Sequence, residues 1–277
     1  MKSNKRIFCL FIAALCLAGC GKPLDITPNY SIENQEQYMA LWPNQTGELV
    51  MHFEPVGGVA IAPEYSASAD SPVFRIEDAS HWKAVSSGTG IVWFDFSYSP
   101  ESMSRLNKAY PNGDFYEQAI ASGFKVCVGT PVYCAKNTHT DQCIYFTDLN
   151  KPEFLNGEEW QPQETVWLNA PSENIHERDE TSFQTIYLLT HPDTHDQIFT
   201  LNWGERDLLI EQGWHRENDF GFSYSEGKPV YRLYDPQSGL HRYTADEEKS
   251  RILQNEGWTL EGEAWKCLDP DPSHEIK

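Results

Sequence analysis

Residues 229–262 read PVYRLYDPQSGLHRYTADEEKSRILQNEGWTLEG, and this stretch decides the fold. Residues 230–234 alternate in the manner of a β-strand. Pro236 presets a turn backbone and Gly239 suits a left-handed position, so a tight turn follows the strand. Residues 241–244 are then predicted to return as a second strand. The stretch therefore opens with a β-hairpin.

The second part of the stretch predicts a surface helix and a third strand. Thr244 and Glu247 match a capping box, with Thr at the N-cap and Glu three residues later. Gly257 is a typical residue just beyond a helix end. The alternating segment 258–267 follows as a strand. The whole unit reads β-β-α-β.

This unit recurs along the chain. Residues 187–217 align with 231–261 at an offset of 44 without gaps, and eight of 31 positions are identical. A degenerate third copy precedes them, because Trp160 and Trp167 keep the seven-residue spacing of Trp258 and Trp265. A period of about 20–50 residues indicates a repeat architecture. The sequence predicts an α+β, β-rich fold with three pseudo-symmetric β-β-α-β repeats of about 44 residues, preceded by a smaller β-rich region.

The pattern in 229–262 resembles an uncharacterised extracellular bacterial repeat. The likeness rests on the VYRLYDPxSGxHxYT segment and the later GWxxEG segment. It is close in 229–266, fair in 185–222 and weak in 130–168, which is roughly half of the chain. That repeat is often appended to secreted hydrolases, including lysozyme-like cell-wall enzymes. The resemblance implies an accessory module and not a catalyst.

The N-terminus has the features of a lipoprotein signal. Basic residues precede an apolar run over 7–17, which is shorter than the roughly 20 residues that span a bilayer. The run ends at Leu17-Ala18-Gly19-Cys20, which looks like a bacterial lipobox with Cys20 as the lipidated residue. Because Gly21 is not Asp, the outer membrane is favoured over the inner membrane. The predicted division is a signal peptide (1–19), lipidated Cys and flexible tether (20–37), β-rich N-terminal region (38–126), three-repeat domain (127–267) and flexible tail (268–277).

The charge excludes one class of partner. The formal net charge is −20, from 21 basic and 41 acidic residues. A nucleic-acid binder needs clustered Lys and Arg against phosphates, so no nucleic-acid partner is expected. We expect the protein to face the periplasm or the cell surface, held to the membrane through its lipid.

Four cysteines remain after the signal and the lipidated residue. An even number outside the cytoplasm predicts two disulfides. Cys134 and Cys143 could face each other across a hairpin. Cys127 and Cys267 would then clamp the ends of the repeat domain. Zinc binding is disfavoured because no C-x-x-C pair is present.

Several polar and aromatic residues are candidates for a site. His241, Tyr243, Trp258 and Trp265 are candidates to face a ligand, although aromatic residues at matched repeat positions are more often core. His191, Asp193 and His195 form a weak metal candidate, and the alternative is an ordinary solvated hairpin turn. No cofactor is predicted.

The function predicted from these patterns is a membrane-anchored, non-catalytic binding module for a cell-envelope glycan or an envelope protein. Neither a G-x-S-x-G nor an H-E-x-x-H motif occurs in the chain, so no catalytic residue is assigned. Two alternatives stay open. One is an envelope hydrolase with its site in 38–126, and the other is a purely structural envelope lipoprotein.

Overall fold

The computed structural model describes residues 23–78, 80–111, 113–117, 122–147, 151–171 and 183–269. The predicted signal peptide and the lipobox with Cys20 lie outside these residues. In the described part of the chain, no helix is both long and apolar enough to cross a bilayer. The β-rich α+β class is confirmed, and the described residues contain three short α-helices set among many strands.

The described residues of the N-terminal region form four small sheets. Its strands pair as β1 with β9, β2 with β4, β3-β7-β6, and β5-β8-β10. Their bounds are β1 Leu24–Asp25, β2 Tyr30–Ile32, β3 Thr46–Glu48, β4 Met51–Phe53, β5 Glu64–Ala69, β6 Phe74–Ile76, β7 His81–Ala84, β8 Gly88–Ser97, β9 Phe115–Tyr116 and β10 Gly123–Val128. A 3₁₀ helix spans Gln35–Met39, and α1 spans Pro100–Ala109.

The core of this region is aromatic. Val92 and Phe94 alternate inward along β8, as a half-buried strand requires. Tyr38 lies against the rings of Phe124 and Trp82, with centroids 4.8 and 5.4 Å away. Ring contacts of this kind stabilise the packing beyond the area that they bury.

The C-terminal region contains three sheets with the same strand order. In each sheet the first strand is central, the second returns beside it as a hairpin, and the third pairs with its other edge. Sheet I consists of β11 Thr130–Asn137, β12 Cys143–Phe146 and β13 Trp160–Asn169. Sheet II consists of β15 Tyr187–Thr190, β16 Gln197–Thr200 and β17 His215–Arg216. Sheet III consists of β19 Lys228–Asp235, β20 Leu240–Thr244 and β21 Thr259–Cys267. A separate pair joins β14 Phe183–Thr185 to β18 Phe222–Tyr224.

Helices follow the hairpins of sheets II and III. They are α2 Trp203–Glu211 and α3 Glu247–Asn255. Asp246, not Thr244, is the N-cap of α3, since its carboxylate accepts the backbone N–H groups of Glu248 and Lys249 at 2.8 and 3.2 Å. Sheet I has a 3₁₀ turn, Glu153–Asn156, where a helix was predicted.

The structure differs from the predicted tether and tail. Leu24 and Asp25 pair with β9, and Ile26 is buried, so the segment from residue 23 onward is part of the fold. At the other end Leu268 is buried and its N–H donates to the carbonyl of Leu168 at 2.8 Å. These apolar side chains gain burial that a solvated tether would forgo.

The two regions share a strand and a core. The predicted boundary after residue 126 falls inside β10. Leu41 bridges to Val128 at the end of that strand. One buried cluster then joins residues from both sides of the boundary: Trp42, Cys127, Leu168, Ala170 and Leu268. The regions therefore pack as one body.

Candidate functional site

The three returning strands β12, β16 and β20 meet in the centre of the C-terminal region. Each contributes one ring, from Tyr145, Phe199 and Tyr243 respectively. The ring centroids are 6.1, 4.9 and 5.6 Å apart around the triangle. All three residues are buried, and this triangle is the centre of the core.

Hydrogen bonds pass around the triangle in one direction. The hydroxyl of Tyr145 accepts the N–H of Tyr243 at 2.9 Å and donates to its carbonyl at 2.8 Å. The hydroxyl of Tyr243 in turn accepts the N–H of Phe199 at 3.0 Å. Phe199 has no hydroxyl, and the side-chain amide of Gln197 makes the third contact instead. Its oxygen accepts the N–H of Tyr145 at 2.7 Å, and its nitrogen donates to the carbonyl of Tyr145 at 3.0 Å. Buried backbone groups are thereby satisfied at all three contacts.

The hairpin turns explain the weak metal candidate. His191 accepts the N–H groups of Asp193 and Thr194 on its Nδ1, at 3.2 and 3.3 Å. Asn137 and Asp235 accept equivalent turn N–H groups in the other two hairpins. His195 has φ 56°, in line with Gly239 at 73°. His191 acts as a turn cap, and nowhere in the described residues do three His, Cys, Asp or Glu side chains converge as a metal ion would need.

A chain of charged groups links sheets II and III. His241 Nδ1 lies 2.7 Å from Asp196 Oδ2, and its Nε2 lies 3.5 Å from Glu261 Oε2. The same Glu261 oxygen lies 2.7 Å from Arg232 Nε, and a second Arg232 nitrogen lies 3.0 Å from Glu205 Oε1. We call these five residues the ionic chain. The His241 and Asp196 side chains are only 11% and 5% exposed, whereas those of Glu205 and Glu261 keep about a third of their surface exposed and are held by Arg232.

Arg232 keeps its charge in this setting. Burial lowers the pKa of its guanidinium, but Tyr243, Glu205 and Glu261 raise it further, and the result is a pKa above the ordinary value. Arg232 therefore holds two carboxylates side by side as a permanent cation.

The ionic chain borders a depression of about 320 Å³. Glu205, Glu261 and Glu263 line it, and Arg232 is the single basic side chain among its lining residues. Asn202, the N-cap of α2, also lines it. The next residue, Trp203, has 68% of its surface exposed. The depression is thus rich in carboxylates, and an exposed indole follows directly in sequence on one of its lining residues.

The predicted ligand-facing residues separate into two groups. Tyr243 and Trp265 are only 3% and 1% exposed, so the structure places them in the core and not on a ligand-facing surface. Trp258 packs beneath the guanidinium of Arg242 at 4.8 Å. His241 belongs to the ionic chain and reaches the edge of the depression through Glu261. Of the four, His241 is the one that the structure brings to the site.

Most of the site has no signature in the sequence. Glu205 lies in α2 and Arg232 in β19, and no motif joins them. Trp203 aligns with Glu247 at the offset of 44, so the repeat pattern did not mark it. Glu261 was detectable, since it matches Glu217 in the repeat alignment, but its contact with Arg232 depends on the strand register.

The cysteines are free thiols in the described residues. Cys134 and Cys143 lie in one hairpin and share a hydrogen bond. Cys127 and Cys267 are buried as separate thiols in two apolar clusters, and the two predicted disulfides stay predictions. Burial raises the pKa of each of these two thiols to about 12.

The N-terminal region has a depression of about 470 Å³ that bears on the hydrolase alternative. Asp78 and His81 line it with a contact of 2.8 Å, and Ser80 is 3.5 Å from the same His81 nitrogen, Nδ1. A Ser-His-Asp triad needs the acid and the nucleophile on opposite ring nitrogens. Backbone N–H groups of His81 and Ser80 lower the pKa of Asp78 to about 2, so it is no proton donor near neutrality.

Residues 131–268 match a family model. It is described as a domain of unknown function, DUF5648, and the match covers just under half of the chain. The DUF5648 segment begins in β11 and ends just beyond β21, so it contains all three sheets, the aromatic triangle and the ionic chain. No curated protein and no solved structure matches the chain.

Proposed function

We propose that this protein is an exported, lipid-anchored envelope lipoprotein whose DUF5648 segment is a non-catalytic binding module for cell-envelope glycan. The observation that carries the proposal is the depression beside the ionic chain, which ion-paired carboxylates line and whose lining residue Asn202 directly precedes the exposed Trp203. Sugars offer hydroxyl donors around their edge and an apolar face of C–H groups. Carboxylates accept hydrogen bonds from the sugar hydroxyls, and an aromatic ring packs against the apolar C–H face.

The side chains of the site suit binding better than bond cleavage. Glycoside hydrolysis requires one carboxylic acid that donates a proton and a second carboxylate at a set distance. Here Glu205 and Glu261 are both ion-paired with Arg232, which gives them hydrogen-bond acceptor roles. Their fixed positions reduce the ordering cost of binding.

The frame of the module is proposed to be three pseudo-symmetric repeats that pack around the aromatic triangle. Three kinds of equivalence support this. The sheets share one strand order, the turns share a side-chain cap, and the left-handed residue recurs as Asp141, His195 and Gly239, with φ of 63°, 56° and 73°. The first repeat is the most divergent, because its helix is replaced by a 3₁₀ turn.

The lipobox that ends at Cys20 supports a lipid anchor, and Gly21 after it favours the outer membrane over the inner membrane. Two or more acyl chains on one residue anchor a protein stably, whereas a single chain does so only marginally. An anchored module with a sugar-binding hollow would hold the membrane close to the glycan of the cell wall. Disulfide formation by the hairpin cysteines fits the same oxidising compartment.

The test is retention of the chain from residue 21 onward on purified peptidoglycan, with calorimetry on soluble glycan fragments. The Trp203→Ala change is expected to weaken binding about tenfold, since it removes a stacking surface worth about 1.4 kcal/mol. Glu205→Gln keeps the shape and removes one acceptor charge, and is expected to weaken binding by a smaller factor.

The matched control is Trp93→Ala, because Trp93 is another exposed indole but lies on β8, outside the depression. Equal losses for Trp93→Ala and Trp203→Ala would indicate non-specific adhesion. Failure of the unaltered chain to bind any glycan would overturn the proposal and favour the structural alternative. Release of soluble fragments from peptidoglycan would instead show a hydrolase.

A further inference from the structure

Cys134 and Cys143 occupy one face of the sheet I hairpin. Cys134 lies opposite Tyr145, and Cys143 is two residues before Tyr145, so both side chains point to the same side. Their thiols share a hydrogen bond. Cys134 is buried, whereas Cys143 is partly exposed. The pair therefore has one thiol that an incoming molecule can reach and a second one directly behind it.

Arg242 of sheet III adds a cation to this pair. One of its terminal nitrogens, Nη2, donates to the carbonyl and the carboxylate of Asp141, at 2.6 and 2.7 Å. Its Nε is buried with no hydrogen-bond partner. Cys143 is the group that most raises the pKa of Arg242, which otherwise falls through burial. A thiolate at Cys143 would supply a negative neighbour to a donor that lacks an acceptor.

The electrostatics assign different forms to the two sulfurs. The hydrogen bond from the Cys134 thiol lowers the pKa of Cys143, against the effect of burial, and Arg242 and Lys136 lower it further. The same hydrogen bond and burial raise the pKa of Cys134. Of the two sulfurs, Cys143 is therefore the one that ionises more readily, and Cys134 is its hydrogen-bond donor.

We propose that Cys143 and Cys134 form a thiol–disulfide exchange site, with Cys143 as the nucleophile and Cys134 as the resolving thiol. The Cys143 thiolate attacks one sulfur of an incoming disulfide, whose S–S bond breaks and releases a thiolate. That thiolate takes the proton of Cys134. The Cys134 thiolate then attacks the Cys143 sulfur, which forms the intramolecular disulfide and expels the second thiolate. One disulfide is reduced to two thiols, and the protein pair is oxidised.

This activity is independent of the proposed glycan binding. The strand registers nevertheless relate the two sites, because Cys134 and Cys143 hold the strand positions that Arg232 and His241 hold in sheet III. Cys127 and Cys267 differ from the pair in every respect that matters for reactivity. They are buried, and burial is the main cause of their raised pKa values.

The first test is a short alkylation pulse with iodoacetamide at pH 7 on the fully reduced chain from residue 21, read by peptide mass spectrometry. Cys143 is expected to react at least about tenfold faster than Cys127 or Cys267. Arg242→Gln should slow the reaction and Arg242→Lys should retain most of it. Equal rates for Cys143, Cys127 and Cys267 would overturn the proposal.

The second test uses oxidised glutathione as the disulfide and does not depend on variants of Arg242. Cys134→Ser should trap one glutathione per chain on Cys143, whereas Cys143→Ser should carry none there. The unaltered chain should form the intramolecular disulfide and reduce again as the glutathione ratio is reversed. A pair that stays oxidised at every ratio is a permanent structural bridge, and that result would also overturn the exchange role.

Discussion

The hydroxyl of Tyr145 forms two hydrogen bonds with the backbone of Tyr243. It accepts the N–H at 2.9 Å and donates to the carbonyl at 2.8 Å. The two residues are 98 positions apart and belong to sheets I and III. One side-chain atom thus satisfies both polar groups of a residue that is buried between the sheets. Since buried polar groups without a partner are costly, this contact fixes the relative position of two strands.

Tyr145→Phe is expected to lower the free energy of unfolding by about 1–3 kcal/mol, because the N–H and carbonyl of Tyr243 lose their partner in the core. Urea unfolding followed by tryptophan fluorescence measures the change. Tyr231→Phe is the matched control, since Tyr231 is partly exposed on β19 and lies outside the triangle. Equal effects of the two changes would mean that the hydroxyl contact contributes nothing specific.

The side chain of Gln197 replaces the hydroxyl that Phe199 lacks. A tyrosine at position 199 should therefore partly restore the stability that is lost when Gln197 is removed. Gln197→Ala should cost about 2–4 kcal/mol, from a cavity and from the unpaired backbone groups of Tyr145. Adding Phe199→Tyr to that variant should restore about 1 kcal/mol. In the unaltered chain Phe199→Tyr should instead destabilise, because the new hydroxyl meets the Gln197 amide. A double-mutant cycle with no coupling would contradict the equivalence of the three contacts.

Asp141 makes stability depend on pH in the acid range. Burial raises the pKa of its carboxyl, but Lys136 and Arg242 lower it further, and the folded pKa lies below the unfolded value near 3.8. Its contribution is therefore complete above pH 3.8 and is lost as pH falls through the folded pKa. Unfolding measured from pH 6 to pH 2 should show a weaker acid dependence for Asp141→Asn.

The control for this experiment is Asp193→Asn, an exposed aspartate in the turn of sheet II. The stability of Asp193→Asn should change with pH in the same way as the stability of the unaltered chain. A profile for Asp141→Asn that overlies the profile of the unaltered chain would show that the ion pairs with Lys136 and Arg242 do not persist in solution.

Substitutions at Gly239 should be destabilising because of the backbone conformation of this position and not because of the size of the new side chain. Its φ is 73° and an added Cβ would meet nothing within 4 Å. Gly239→Ala is expected to destabilise by about 1 kcal/mol, whereas Gly239→Asn should cost less, because Asn tolerates the left-handed region. Thermal melting of the two variants checks this order, and a larger loss for Asn would indicate crowding in place of backbone strain.

Local signals predicted the local structure well. The hairpin of sheet III, its turn and the glycine after α3 follow from residues within about ten positions of each other. The start of α3 was placed at Thr244 because the capping-box pattern fits, but the Thr244 hydroxyl accepts the N–H of Asp246, and Asp246 caps the helix. Two neighbouring capping residues cannot be separated by pattern alone.

Contacts between the sheets could not be predicted from the sequence. The second strand of sheet I offers two neighbouring aromatic residues, Tyr145 and Phe146. The register pairs Phe146 with Tyr133, and Tyr145 is the one that joins the central triangle. A one-residue slip reverses which face a side chain occupies, and a degenerate copy offers no pattern strong enough to decide it. The ionic chain was missed for the same reason, since Glu205 and Arg232 meet through packing.

The triangle of Tyr145, Phe199 and Tyr243 has a consequence for how the number of hairpins can change. Each of the three strands contacts both of the others, so the assembly is closed. Solenoids grow or shrink by whole units because each unit touches only its neighbours and the ends stay open. A closed ring offers no end at which a fourth hairpin could join without opening an existing contact. Duplication within this region should therefore be selected against, while the outer surfaces of the sheets remain free to diverge.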